Sequence, residues 1–122
     1  YLGLSINGFP NLFTITGPGS PSVLTNMMVA IEQHVEWISD CLQYMDQQGY
    51  HRIQASAEAE AEWVQHVNQV ADQTLYTSCN SWYLGANIPG KSRVFMPLVG
   101  FPPYAEKCRH VAEQEYPGFI LS

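Results

Sequence analysis

Apolar residues recur every three or four positions over much of this chain, the spacing that is typical of amphipathic helices. The longest such stretch predicts a helix over about 21–48. Its apolar positions are Val23, Met27, Ala30, Ile31, Val35, Ile38, Leu42 and Met45. The apolar face is widened by Leu24, Met28, Trp37, Cys41 and Tyr44. A face this wide is usually buried on two sides, so we expect it to need neighbours that 122 residues can supply only in part.

A short strand and a tight turn are predicted immediately before this helix. Residues 11–16 carry β-branched and aromatic side chains and predict the strand. Gly17-Pro18-Gly19 permits the turn, and Ser20 followed by Pro21 is typical of a helix start. Such a turn brings backbone N–H groups and the positive end of a helix together, which favours an anionic or electron-rich cofactor.

The rest of the chain predicts a mixed α/β order in which the long helix is flanked by short strands. Gly49 is expected to end the long helix, and Ser56 to cap the next one. The predicted elements are a strand within 51–55, a helix at about 57–75, a loop at about 77–93, an edge strand at 94–99, a helix at about 102–114 and a terminal strand at about 118–121. A loop as long as 77–93 is more often functional than idle.

Composition narrows the classes of partner. The net charge is −6 and only five Lys and Arg residues are present, which argues against nucleic acid as a partner. No apolar run approaches the length of a membrane span. The chain begins with Tyr1 and shows no signal-peptide pattern, so we expect a fragment or processed product of a cytoplasmic protein.

Cysteine and histidine spacings favour neither disulfides nor metals. Cys41, Cys79 and Cys108 are odd in number and far apart, which fits reduced thiols. The four histidines show no metal-ligand spacing, so no metal site is predicted. No nucleophile and base pair is evident, and we therefore assign no catalytic residue.

Three features leave alternatives open on the residues alone. Gly17-Pro18-Gly19 is not the dinucleotide fingerprint, because position 22 is Ser22 where a third glycine is required, and a turn without a ligand is the simpler reading. Met27 is by itself an ordinary core methionine. Trp82, in the polar loop, either anchors that loop or contacts a ligand.

Two longer segments carry a family resemblance. Gly8-Phe9-Pro10-Asn11-Leu12-Phe13-Thr14-Ile15-Thr16-Gly17-Pro18-Gly19-Ser20-Pro21-Ser22 is the first, and Ser81-Trp82-Tyr83-Leu84-Gly85-Ala86-Asn87-Ile88-Pro89-Gly90-Lys91 is the second. Together they resemble the C-terminal segment of Baeyer–Villiger monooxygenases of the phenylacetone and cyclohexanone monooxygenase type. The likeness extends over residues 1–122. It implies the last part of the FAD-binding domain of a flavoprotein with two dinucleotide-binding folds.

The resemblance also implies roles for particular residues. Met27 would lie against the flavin of FAD, with Gly17 and Pro18 forming the turn beside it. The ketone pocket would be lined by Ser22, Val23 and Leu24. Trp82 would contact the nicotinamide cofactor NADP, with Asn87 and Lys91 as weaker candidates, and Gly85 and Gly90 would be hinges of a loop that orders over it.

The activity implied is an NADPH- and FAD-dependent insertion of one oxygen atom from O2 next to a ketone carbonyl, which gives an ester or lactone. The glycine fingerprints of the family fall outside this sequence, so we expect the chain alone neither to hold FAD tightly nor to oxygenate ketones. It would need the remainder of the parent chain. The alternative is a non-enzymatic module derived from such a flavoprotein, in which Val23, Met27, Ile31 and Trp37 are exposed and mediate self-association or binding to another chain.

Overall fold

The computed structural model describes residues 1–21, 25–90 and 100–122. Within these ranges it contains three helices, α1 (Met27–Gln48), α2 (Ala57–Asp72) and α3 (Phe101–Glu113), and two strands, β1 (Ile53–Ala55) and β2 (Phe119–Leu121). The strands pair antiparallel, with Ile53 opposite Leu121 and Ala55 opposite Phe119. The mixture of helices with a small sheet agrees with the mixed α/β class that the sequence predicts.

A single core lies between the helices and the N-terminal segment. Trp37 of α1 is at its centre: the indole N–H donates to the carbonyl oxygen of Cys108 at 2.9 Å, and the ring meets that of Tyr116 edge-on at 5.3 Å. Trp37 is buried, so the expectation that it would be exposed for self-association is wrong. The fully buried Leu2 and Leu4 extend the core on the N-terminal side.

Helix α1 begins at Met27, six residues later than predicted. Asn26 is its N-cap, and the Asn26 side chain accepts a hydrogen bond from the Met28 N–H at 3.0 Å. Ser20, the predicted cap, uses its hydroxyl to donate to the carbonyl oxygen of Gly17 at 2.7 Å. The side chain that would cap an early helix is therefore committed to the preceding turn.

The strand predicted over 11–16 is not formed. Asn11 and Thr16 have left-handed backbone conformations, with φ of 58° and 53°. The Asn11 N–H donates to Ile53 and the Thr14 N–H to Leu4, so the segment bonds to two different partners and builds no ladder with either. Its β-branched residues fit an extended path, but ladder pairing is decided by neighbours.

The other boundaries lie within three residues of their predictions. Gly49 ends α1 in the left-handed conformation, with φ of 74°, as the sequence predicts. The Ser56 hydroxyl caps α2 by accepting from the Ala59 N–H at 3.1 Å. Helix α2 ends at Asp72, not at 75, because the Thr74 hydroxyl donates to Ala71 and starts a separate 3₁₀ helix over Leu75–Ser78. The predicted strand at 94–99 lies outside the described residues.

Helix α1 carries two apolar stripes, and this chain covers one of them. The buried stripe consists of Ala30, His34, Trp37, Cys41 and Met45. A second stripe consists of Met28, Ile31, Val35 and Leu42, of which all but the half-buried Ile31 are exposed. The sequence predicts a helix that is buried on two sides, and the second stripe is the side that the described residues leave open. No helix among the described residues is both long and apolar enough to cross a membrane.

The start of α1 can be tested at its cap. Replacing Asn26 by Ala removes the acceptor for the Met28 N–H and is expected to lower the free energy of unfolding by about 1 kcal/mol. Asn26→Asp keeps a capping oxygen and should be close to wild type. The measurement is denaturant unfolding followed by circular dichroism. Equal stability of all three proteins would contradict a helix start at this cap.

Candidate functional site

The turn over residues 16–20, which contains the Gly17-Pro18-Gly19 motif, is held by three parts of the chain. From α1, His34 accepts the Thr16 N–H at Nδ1, 3.0 Å away. From α2, the Trp63 indole N–H donates to the carbonyl oxygen of Gly19 at 3.1 Å. Within the turn, the N–H and the hydroxyl of Ser20 both donate to Gly17. The turn is therefore fixed to both long helices.

Gly17 is required by close packing. A Cβ atom at this position would collide with the Thr14 side chain and lie 2.5 Å from the carbonyl oxygen of Gly3. Gly19 is required for two reasons, since its φ is +84° and a Cβ would lie 2.9 Å from the Trp63 indole nitrogen. Both glycines are needed by the protein's own packing. The turn is thus held by contacts within the chain itself.

Only part of the turn faces solvent. Pro18 is exposed, whereas Gly17, Gly19 and Ser20 are buried. Ile15, just before the turn, is also exposed. Met27, at the first position of α1, is 41% exposed, which separates it from an ordinary core methionine. The turn and the start of α1 therefore each present an apolar group to solvent, and the start of α1 is the positive end of a helix.

His34 connects the turn to α3. Its ring is fully buried, and Nε2 lies 2.8 Å from the hydroxyl oxygen of Tyr104. The Tyr104 hydroxyl also donates to the carbonyl oxygen of Leu2 at 2.9 Å. Desolvation by burial lowers the pKa of His34 below its ordinary value, because the charged imidazolium would lose its hydration. The ring is therefore held neutral.

Trp82 lies in a short 3₁₀ helix, Trp82–Leu84, inside the loop predicted over 77–93. Its ring is 60% exposed and stacks on the Tyr83 ring at a centroid distance of 4.0 Å. The neighbouring Leu84 is buried and attaches this segment to the core. Gly85 ends the 3₁₀ helix with φ of 71°. Since Leu84 anchors the loop, the exposed face of Trp82 is free to contact a ligand.

The remaining predicted site residues divide into two groups. Asn87 is described and exposed. The predicted pocket residues Ser22, Val23 and Leu24 and the predicted NADP ligand Lys91 lie outside the described residues. Met27 and Trp82 belong to different elements: Met27 is the first residue of α1, and Trp82 is the first residue of the 3₁₀ helix Trp82–Leu84.

The buried thiols are unsuited to nucleophilic chemistry. Burial raises the pKa of Cys41 to about 12 and that of Cys108 to about 11. Both groups are thus protonated at neutral pH, and the thiolate is the reactive form. Within the described ranges, no group of three or more His, Cys, Asp or Glu residues could hold a metal ion. The chemistry open to these residues is the binding and positioning of a cofactor.

Comparison with known proteins identifies the fold. No family model matches the chain. Cyclohexanone 1,2-monooxygenase from an Acinetobacter species is 39% identical over 122 residues, which are 99% of this chain and 22% of that protein. The structure of an oxidized steroid monooxygenase bound to NADP superimposes with a TM-score of 0.90 at 49% identity, covering 99% of this chain and 22% of that one. The structure of OTEMO in complex with FAD and NADP superimposes with a TM-score of 0.88 at 32% identity, covering 100% of this chain and 22% of that one.

The chain is homologous to one segment of the Baeyer–Villiger monooxygenases. The family resemblance predicted from the two sequence segments is confirmed. The chain spans only about a fifth of the length of the Baeyer–Villiger monooxygenases it matches, since the coverage is 22% in each of the three comparisons above. Those relatives are enzymes, and their structures contain NADP and, in one case, FAD.

Sequence reasoning missed His34 and Trp63 as residues that hold the turn. Each lies at an apolar position of an amphipathic helix, where a core role is the default. The available signal was chemical: both side chains carry an N–H or ring nitrogen that must find a partner when buried. Their partners, Thr16 and Gly19, are more than 15 residues away, so only the tertiary structure identifies them.

The packing of the turn predicts a strong effect at Gly17. Gly17→Ala places a Cβ against Thr14 and Gly3 and should lower the free energy of unfolding by about 2 kcal/mol. The control is Gly8→Ala, where a Cβ meets open space and only the positive φ opposes it, at about 1 kcal/mol. Denaturant midpoints measure both variants. A Gly17→Ala protein as stable as Gly8→Ala would contradict the close packing of the turn.

The lowered pKa of His34 predicts a loss of stability in acid. Below pH 6.5, its ordinary pKa, the unfolded chain takes up a proton at His34 that the folded chain resists. The free energy of unfolding contributed by this group is therefore complete above that pH and falls as the pH is lowered through and below it. The expected slope is at most about 1.4 kcal/mol per pH unit.

The matched variant for this test is His34→Asn, which keeps a hydrogen-bond acceptor near Nδ1 and has no titrating group. Unfolding curves at a series of pH values should show a shallower acid slope in the variant. Identical slopes in the two proteins would show that His34 does not resist protonation.

Proposed function

We propose that this chain is the C-terminal part of the FAD-binding domain of a flavin-dependent Baeyer–Villiger monooxygenase. The whole protein would use NADPH, FAD and O2 to insert one oxygen atom next to a ketone carbonyl and form an ester or lactone. The observation that carries the proposal is the turn over 16–20, because the motif on which the family resemblance rests lies in a turn that the chain holds tightly and that has an exposed apolar edge. Similarity over 99% of the chain supports it.

The residues on the flavin side fit a large aromatic cofactor. Pro18 and Met27 are exposed apolar groups, and Gly17, just before Pro18, lets the backbone pack closely against Thr14 and Gly3. The start of α1 contributes the positive end of a helix of 22 residues, which favours the negative charge of a reduced flavin. When bound, FAD supplies the redox chemistry and the activation of O2. The chain's part is to position the ring and keep water from it.

The residues on the nicotinamide side are Trp82, Asn87 and Lys91. Trp82 presents an exposed aromatic face that is held flat by stacking on Tyr83. A flat aromatic face and one N–H donor suit a nicotinamide ring and its amide. The glycines at 85 and 90 have positive φ values and permit the loop to change its path when cofactor binds.

The ketone pocket is assigned to Ser22, Val23 and Leu24. In the chain these residues lie between the turn and the Asn26 cap of α1. The small or apolar side chains suit an uncharged ketone.

The second apolar stripe of α1, Met28, Ile31, Val35 and Leu42, supports a role as part of a larger protein. Three of these side chains are exposed in this chain, and burying a large apolar side chain is favourable by about 1.5–3 kcal/mol. Because the chain spans 22% of its relatives, we assign the remainder of a longer flavoprotein as the partner of this stripe. Self-association of the isolated chain is the competing outcome.

The test compares the protein at its natural length with residues 1–122 alone. We expect the longer protein to purify with FAD and to consume NADPH when a cyclic ketone is added, with one atom of isotopically labelled O2 appearing in the ester or lactone. Residues 1–122 alone should bind no FAD. A longer protein that lacks flavin, or product that carries oxygen from water, would overturn the proposal. Tight FAD binding by residues 1–122 alone would show that the remainder of a longer protein is not needed to hold the cofactor.

The role of Trp82 predicts a selective effect on the nicotinamide cofactor. Trp82→Ala in the full-length protein should raise the KM for NADPH by about tenfold, because stacking of this kind contributes on the order of 1–3 kcal/mol. Trp82→Phe keeps an aromatic face and should lose much less. Steady-state kinetics at saturating ketone measure both. Since Trp82 is exposed, unfolding curves should be unchanged, and a KM that does not move would exclude the contact.

A further inference from the structure

The hydrogen bonds around His34 determine where its proton is. The Thr16 N–H can only donate, so Nδ1, at 3.0 Å, must be the acceptor and carries no hydrogen. In a neutral imidazole the hydrogen is then on Nε2, which donates to the Tyr104 oxygen at 2.8 Å. The Tyr104 hydroxyl uses its own hydrogen to reach Leu2 at 2.9 Å. One arrangement of protons satisfies every group in this chain of bonds.

The residue that His34 contacts has an unusual backbone. Thr16 has φ of 53°, in the left-handed region, and threonine is β-branched, for which this conformation is a true outlier. A residue free of other constraints adopts such a conformation about ten- to a hundredfold less often than its preferred one. It persists only where surrounding contacts enforce it. The bond from the Thr16 N–H to His34 is such a contact. Thr16 directly precedes Gly17 and Pro18, so its conformation sets the direction of the turn.

We propose that His34, as the neutral Nε2–H tautomer, is a positioning residue that fixes the Thr16 peptide and thereby the Gly17-Pro18 turn against FAD. This inference rests on the proposed function, because the turn is the assigned flavin contact. His34 itself is fully buried and offers no surface to a cofactor or a substrate. It acts through the backbone of the turn.

The His34 ring connects two parts of the chain through uncharged groups. The groups that face the ring are the Thr16 N–H, from the turn, and the Tyr104 hydroxyl, from α3, whose partner is Leu2 of the N-terminal segment. Tyr104 also lies beside the Cys108 thiol, and burial raises the pKa of both groups, so both are neutral. The ring thus joins the turn to α3 without any charge.

The two ring nitrogens can be tested separately by substitution. In His34→Asn, the side-chain oxygen reaches the place of Nδ1 and still accepts the Thr16 N–H, but the hydrogen bond to the Tyr104 hydroxyl is lost. In His34→Gln, the longer amide reaches the place of Nε2 and keeps the hydrogen bond to Tyr104, but the Thr16 N–H loses its acceptor. Tyr104→Phe is the matched control, because it removes the bond on the α3 side and leaves the Thr16 contact in place.

The readout is the Kd for FAD, measured on the full-length protein by titration of the apoprotein. We expect His34→Gln to weaken FAD binding by about tenfold, since a buried N–H is left without its partner. His34→Asn and Tyr104→Phe should stay within about threefold of wild type, even though each loses one hydrogen bond. Unfolding curves for the three variants separate this effect from lost stability.

A spectroscopic measurement tests the tautomer directly. In a nitrogen-15 spectrum of histidine-labelled protein, His34 should show an unprotonated Nδ1 and a protonated Nε2. The Thr16 amide should exchange slowly with solvent in wild type, His34→Asn and Tyr104→Phe, and quickly in His34→Gln.

Each result supports or overturns the inference. Selective loss of FAD affinity and of Thr16 protection in His34→Gln supports it. Equal loss in all three variants, in proportion to their stability, would reduce His34 to a structural residue, and a protonated Nδ1 would contradict the bond itself. Wild-type protein that binds no FAD overturns the proposed function and this inference together. Wild-type binding with an unaffected His34→Gln overturns this inference alone.

Discussion

Burial of a neutral imidazole at the junction of α1, α3 and the turn is the constraint on which the rest of this structure depends. His34 has no water to bond with, so both of its nitrogens must find protein partners, and they find them in the Thr16 N–H and the Tyr104 hydroxyl. The same demand operates on the Trp63 indole, which donates to Gly19. Two buried ring systems thus hold a short glycine turn from either side, and the two glycines allow the backbone to come close enough to be held. A turn fixed in this way is rigid, and a rigid site would lose less conformational entropy when a ligand binds.

The distribution of apolar surface on α1 is consistent with the proposal that the chain is one part of a larger protein. One stripe of α1 is packed under α3 and the sheet, and the second stripe faces solvent in this chain. The relatives are longer, with this chain covering 22% of them, so they have the means to bury such a stripe. The exposed Pro18 and Met27 lie at the start of the same helix. Cofactor contact and domain packing would therefore share one helix, which ties the position of the flavin to the packing of the remainder of the protein.

Local signals predicted most of the fold because their causes are local. Gly49 ends α1 because a left-handed residue is needed there, and Ser56 begins α2 because its hydroxyl meets the Ala59 N–H three residues away. The predictions that were wrong involve distant partners. Ser20 has the chemistry of a cap, but its hydroxyl is taken by Gly17, and residues 11–16 have strand-like composition but bond to Leu4 and Ile53 separately. Trp37 was expected at an exposed position and is buried, because α3 and Tyr116 cover it.

The sequence by itself determined that α1, α2 and α3 form, the C-terminal end of α1 at Gly49 and the Ser56 cap of α2, since each depends on residue types at short and fixed spacing. The family followed from the resemblance of two segments to known proteins. It also determined which segments carry the candidate chemistry, the Gly17-Pro18 turn and the Trp82 loop. Only the tertiary structure decided that Met27 and Trp82 face solvent while Leu84 anchors the loop, and that His34 and Trp63 hold the turn. The physical reason is that a hydrogen bond between groups 18 or 44 residues apart leaves no periodic trace in the sequence. Such a bond forms because packing excludes water from both partners, and each must then find a hydrogen-bond partner within the chain.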